Sequence, residues 1–327
     1  MTQDPGRSEQ QEPARQRDDP RRDVSAEEER PTAQTFLGIV KLSFMEWLGE
    51  GVMHWGAALS YYTLFSLGPV LIFLVGTAGM FFDDAAAREQ ILSQLRLLLG
   101  SRGAEIADTI LVQATFPGFG SVQALLSLLA LLVGATAVFG NIQGALNDIW
   151  HVKPVTGTVR NALRTRLMAF VMILVLGGLV FLSFLVSAAT SLLAPFIEAR
   201  LPGGSLLVRA LDFGVSTALL WLVFAAVYQV LPDARIAWRD VWVGGLVTAV
   251  LFAIGKLAIG GFLGRRDPGS VFGAAGSLFA LLIWIYYSAQ IFLVGASFTE
   301  VWARSRGRAI RPEPYAGRVV QRVVPTR

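Results

Sequence analysis

Between Leu167 and Ala194 the chain runs for 28 residues without a charged side chain. About 20 helical residues cross a bilayer core, so this run constrains the fold more than any motif does: it reads as a membrane helix. Comparable runs extend from Leu59 to Phe82, Ser121 to Asn141, Leu206 to Leu231, Val241 to Leu263 and Ser270 to Val301. Composition agrees, with 54% hydrophobic and 16% charged residues and a mean hydropathy of +0.54. The expected fold is therefore all-α, a polytopic helical membrane protein with about six transmembrane helices and further amphipathic interfacial helices.

The polar stretches divide this chain. Residues 1–34 hold Pro, Gln, Asp, Glu and Arg with few large apolar side chains, which predicts a disordered tail that is not a cleaved signal peptide. From Phe36 to Trp55 one helical face carries Phe36, Val40, Phe44, Trp47 and Leu48, as an interfacial helix leading into the membrane would. The first span includes Gly68-Pro69, where a kink is expected. Residues 83–115 are too charged to span, yet Ile91, Leu95, Leu98 and Leu99 share a face, as do Ile106 and Ile110. Two short amphipathic helices over the outer leaflet fit that pattern. Pro195, Pro202-Gly203-Gly204, Pro232-Asp233 and Gly264 to Gly269 mark connections. Residues 35–304 thus form the expected membrane domain, followed by a basic tail over 305–327.

Orientation follows from the Lys and Arg residues. With both ends cytoplasmic, twenty of them fall on the inside and seven on the outside, the bias expected of a bacterial inner-membrane protein. Trp47, Trp55, Trp150, Trp238, Trp242 and Trp302 near span ends suit interfacial anchoring. No convincing internal repeat is present.

Polar residues in apolar surroundings are the candidate functional groups. Gly134, Ala137, Asn141, Ala145 and Asp148 recur at helical spacing, and Asn141, Gln143, Asn147 and Asp148 cluster on one short segment. They read either as the inner gate of a pathway or as a helix emerging into water. Lys256 lies inside an apolar span, eight residues or about 12 Å before Gly264. It either pairs with Asp212 in a polar cleft or snorkels to the outer face. Glycines at 140 and 144, 260 and 264, and 269 and 273 have the spacing of close helix contacts.

Catalytic machinery is not visible. Cysteine is absent and His54 and His151 are the only histidines, so the sequence points to no cysteine metal site, no histidine-built centre and no cofactor. Gly295-Ala296-Ser297-Phe298 has a bare G-x-S-x form, but no base is placed to serve it. There is no H-E-x-x-H and no G-x-x-x-x-G-K-[ST]. A non-enzyme is expected, with membrane lipids and an amphipathic substrate as partners and no nucleic acid.

Several stretches together resemble the YihY/virulence factor BrkB family of bacterial inner-membrane proteins. They are Ala57 through Pro69, Asn141 through Trp150, Leu231-Pro232-Asp233 followed by Trp238, and Gly269 through Ser277 running into Trp284 through Gln290. The resemblance covers about Phe36 to Arg304 and implies six spans with cytoplasmic ends. It also implies a link to serum resistance and to lipid movement across the inner membrane. Some members formerly carried the label ribonuclease BN, which the residues do not support, and no accepted catalytic residues come with the resemblance. Two functions are carried forward: a transporter or flippase-like protein with a polar interhelical cleft, and an envelope structural or interaction protein.

Overall fold

The computed structural model describes residues 35–49, 51–78, 122–155, 159–200, 204–265, 275–308 and 310–319, with separate residues between 88 and 112. After α1 (Phe36–Gly49), each apolar run falls on a long helix: α2 (Met53–Ala78), α3 (Val122–Ile149), α4 (Val159–Arg200), α5 (Gly204–Val230), α6 (Trp238–Arg265) and α7 (Ala275–Ser305). Among the described residues three stretches are by themselves long and apolar enough to cross a bilayer. These are Gly204–Val230, Trp238–Lys256 and Leu281–Ser305, with mean hydropathies of 1.9, 1.3 and 1.6. The chain is a helical membrane protein.

Helix α2 packs along α3, α4 along α5, α5 along α6 and α6 along α7, while α7 also meets α1, α2 and α3. The main core follows from that centrality, joining Leu146, Ile149, Trp150, Tyr228, Val241, Phe292, Leu293 and Ala296. Where α6 meets α7, small residues set the distance. A Cβ on Gly244 would collide with Thr299, and one on Gly295 with Thr248 and, at 2.7 Å, with the Tyr228 hydroxyl. The expected glycine spacings contribute less: Gly144 abuts Trp55 at 2.9 Å, but Gly140 has nothing within 4 Å. The side-chain surroundings of Gly260, Gly264, Gly269 and Gly273 lie outside the described residues.

Several boundaries differ from the sequence reading. The first helix stops at Gly49, short of Trp55, and Gly51 has φ +67°, a left-handed conformation that a right-handed helix cannot carry on. Helix α1 buries Ile39 against Phe298 and Val301 of α7 and leaves Phe36, Val40, Phe44 and Leu48 exposed, so its apolar outer face is kept. Helix α2 is continuous through Gly68-Pro69. Pro195 ends nothing either: α4 passes through it to Arg200, and its 42 residues reach about 63 Å, well beyond a bilayer core. Trp47 and Trp150 are not interfacial anchors. Both are buried, because Trp47 donates to Gln290 Oε1 at 3.0 Å and Trp150 to the Ala296 carbonyl at 3.2 Å. Trp238 stays exposed.

In the segment before α3, Leu92, Ala107 and Leu111 pack with Leu71 of α2, and Arg88 binds Asp108 at 2.5 Å. Leu95, Leu98, Leu99, Ile106 and Ile110 lie outside the described residues. At the other end, residues assigned to the basic tail fold back on the bundle. Strand β1 (Val152–Pro154) pairs antiparallel with β4 (Ala316–Arg318), and β2 (Ala234–Arg235) with β3 (Arg311–Pro312). The α3–α4 turn, the α5–α6 turn and the C-terminal segment are therefore tied together.

Candidate functional site

Helix α3 does not end where its apolar run ends. Two further turns carry it to Ile149, and the four-residue step from Gln143 to Asn147 puts both carboxamides on one side. Opposite them, α5 stops before Leu231-Pro232-Asp233, because proline cannot continue a helix there. The Asp233 carboxylate, on a residue only 6% exposed, is the point where the segments meet.

Asp233 Oδ2 accepts from Gln143 Nε2 at 3.1 Å and from Asn147 Nδ2 at 2.8 Å. Its own amide donates back to Asn147 Oδ1 at 2.8 Å. On the tail side, the Tyr315 hydroxyl donates to Asp233 Oδ1 at 2.9 Å and the Glu313 amide to the Asp233 carbonyl at 3.0 Å. Both carboxylate oxygens thus have donors, as a buried carboxylate requires. The two short sheets continue this knot, with Val155 N–H donating to Tyr315 O and Val319 N–H to His151 O.

The six candidate residues do not converge. Gln143 and Asn147 meet at Asp233. Asp148 turns away, exposed, and accepts from Trp55 Nε1 at 3.0 Å. Asn141 donates to Ala137 O in its own helix at 2.8 Å. Asp212 is exposed on α5 and Lys256 half-buried on α6, and no ion pair joins them among the described residues. Asp233 and Tyr315 were not among the candidates. Asp233 stood in a conspicuous Leu-Pro-Asp turn, whereas Tyr315 carried no signal in a basic tail.

A second polar layer ties α1 and the start of α2 to α7. Gln290 takes the Trp47 indole N–H and donates to Met53 O at 3.1 Å. Arg304 bridges Glu46 of α1 at 2.5 Å and Glu300 of its own helix at 3.3 Å, with all three side chains mostly buried. Deeper in the core the Tyr228 hydroxyl donates to Phe292 O at 2.6 Å and sits 3.1 Å from Thr248 Oγ1. Ser297 is buried and donates to Leu293 O at 3.2 Å. Its hydroxyl is thus held by its own helix.

A family model described as virulence factor BrkB matches residues 43–319. A UPF0761 membrane protein of Alkalilimnicola ehrlichii is 30% identical over 82% of this chain and 59% of its own length. One of Chromobacterium violaceum is 27% identical over 80% of this chain and 60% of its own. One of Alteromonas mediterranea is 28% identical over 74% and 79%. The chain spans about three fifths of the length of the first two relatives. No solved structure matches it.

Proposed function

The chain belongs to the virulence factor BrkB family, and from that membership and the inner-face geometry we propose a six-span protein of the bacterial inner membrane, both ends cytoplasmic, that moves a lipid or other amphipathic molecule between its helices without covalent catalysis. The observation that supports this reading is the Asp233 knot. Apolar residues would hold a purely structural bundle end at least as well as a buried carboxylate does. Hydrogen bonds to side chains from three segments can instead be exchanged for water when the segments part, which suits an inner end that opens and closes. Lys256, half-buried and without an ion-pair partner among the described residues, supplies a cationic point for a substrate headgroup within the span.

The test is leaflet exchange of headgroup-labelled lipid in liposomes containing the full chain. Exchange above protein-free vesicles is expected, reduced by Lys256→Met at equal protein content. Absence of exchange with and without an ion gradient overturns the proposal. A second reading, an envelope structural or interaction protein, is favoured by Asn141, bonded to its own helix, and by Asp148, held by Trp55. On that reading neutral replacements of Asn141, Asp148 and Lys256 leave the cellular phenotype intact, while removal of residues 305–327 abolishes it.

A further inference from the structure

A cavity of about 280 Å³ opens between the end of α7 and the start of α6, lined by Ile236, Ala237, Asp240, Ala303, Gly307, Arg308, Ile310 and Arg311. None of the six sequence candidates, and neither Asp233 nor Tyr315, lines it. Its floor is apolar, with Ile236 and Ile310 buried, and its polar groups are two guanidiniums and one carboxylate. Asp240, 1% exposed, holds Arg308 Nη2 through Oδ1 at 2.6 Å. That bond orients Arg308 and leaves Nη1 without a hydrogen-bond partner among the described residues. Arg311 is exposed and has no acidic partner among the described residues. Asp240 Oδ2 is buried and also lacks a hydrogen-bond partner. The site therefore offers a net positive charge and spare guanidinium donors.

The backbone adds to that polarity. At the end of α7 Gly307, in the left-handed region at φ +68°, closes a cap in which Gly307 N–H donates to Arg304 O and Arg308 N–H to Ala303 O. Two terminal carbonyls of α7 thereby have donors of their own. At the start of α6 the residue before the first turn is Ala237, whose side chain cannot cap the helix, and Asp240 in that first turn supplies the negative charge that its positive end favours.

Size and surroundings select the ligand. Pockets that enclose a whole small molecule run about 300–1,000 Å³, so this one suits a headgroup rather than an entire lipid. Beside it Trp238 is exposed, and Leu246, Val250 and Ile254 continue along α6 as exposed apolar residues four apart. Arg306 stacks over Trp302 at 4.3 Å on the neighbouring helix, as side chains at a membrane boundary do. A headgroup in the cavity would lay its acyl chains along the α6 ribbon.

We propose that the cavity framed by Asp240, Arg308 and Arg311 is a binding site for the phosphate headgroup of an anionic phospholipid of the inner leaflet. The phosphate takes Arg308 Nη1 and the Arg311 guanidinium, a charge-assisted arrangement that guanidinium groups favour. The assignment does not rest on transport, since a protein that moves no lipid would hold this one equally.

The test uses the purified full chain in mild detergent, with retained lipid counted by native mass spectrometry after titration with phosphatidylglycerol, phosphatidylcholine or inorganic phosphate. One phosphatidylglycerol held in preference to phosphatidylcholine is expected, with inorganic phosphate a poor competitor. Arg311→Gln, on an exposed side chain, should weaken retention about fivefold, the contribution of one basic residue near a membrane surface. The double variant Arg308→Gln with Asp240→Asn keeps a neutral hydrogen-bonded pair in the wall and should weaken it further, with helix content unchanged. Equal retention of both lipids, unchanged retention in folded variants, or displacement by inorganic phosphate at comparable concentration would overturn the assignment.

Discussion

Helices α5 and α7 have nearly the same apolar character but opposite surroundings. Within their most apolar windows 61% of α7 is buried inside the protein and 11% of α5 is. The difference lies in what their polar atoms do. Helix α7 presents Gln290, Ser297, Thr299, Glu300 and Arg304, each with at least one hydrogen-bonded atom, along with glycine at its closest helix contact. Helix α5 exposes Leu206, Leu207, Leu211 and Phe213 over its first half, and its buried side chains cluster from Phe224 onward, where Tyr228 reaches α7. Lipid is as apolar as leucine, so the hydrophobic effect cannot by itself seat one helix beside another in a membrane. Close backbone approach and polar ties do, and α7 has both.

The sharpest way to break this comparison is the same substitution in each helix. Gly295→Leu forces a side chain into Thr248 and the Tyr228 hydroxyl and should abolish recovery of monodisperse protein. Gly214→Leu on α5 meets nothing within 4 Å and should change stability by no more than about 0.5 kcal/mol. Size-exclusion profiles of both variants, expressed in parallel, decide it.

Next in size is Asp233→Ala, which strands the donors of Gln143, Asn147 and Tyr315 and should cost about 3 kcal/mol. Thermal unfolding in mild detergent measures it, and a midpoint equal to that of the parent chain would remove Asp233 as the tie. Tyr228→Phe deletes one buried hydroxyl that bonds Phe292 O and should cost about 1 kcal/mol by the same assay. The smallest effect belongs to Leu206→Ala, at a side chain 73% exposed, for which no shift outside error is expected.

The helices were legible because each apolar run exceeds what a bilayer needs, and that signal is local. The Asp233 knot was not, since no periodicity relates Asn147, Asp233 and Tyr315, which come from three separated segments. Half of it was visible: the four-residue step from Gln143 to Asn147 marked a polar face, but nothing in the sequence said what the face meets. Pro195 misled because its ring was weighed as a breaker, while α4 carries it five residues before its end. Trp47 and Trp150 misled for a different reason. Tryptophan near a span end suits an interface or a buried indole with an internal acceptor equally well, and here Gln290 and Ala296 provide the acceptors.

The C-terminal segment is folded onto the α3–α4 and α5–α6 turns, and the absence of native cysteine allows a direct test. Pro154 and Ala316 face each other across β1 and β4, at a position flanked by the hydrogen-bonded partners Val155 and Tyr315. Such non-hydrogen-bonded pairs have Cα atoms about 4.5 Å apart, within disulfide reach. In a Pro154→Cys/Ala316→Cys chain in native membranes, mild oxidation should close the pair nearly completely, so that a cysteine-reactive mass tag adds nothing until reductant is supplied. Two free, independently labelled thiols after oxidation would show that residues 310–319 do not lie on the α3–α4 and α5–α6 turns, and would contradict this fold.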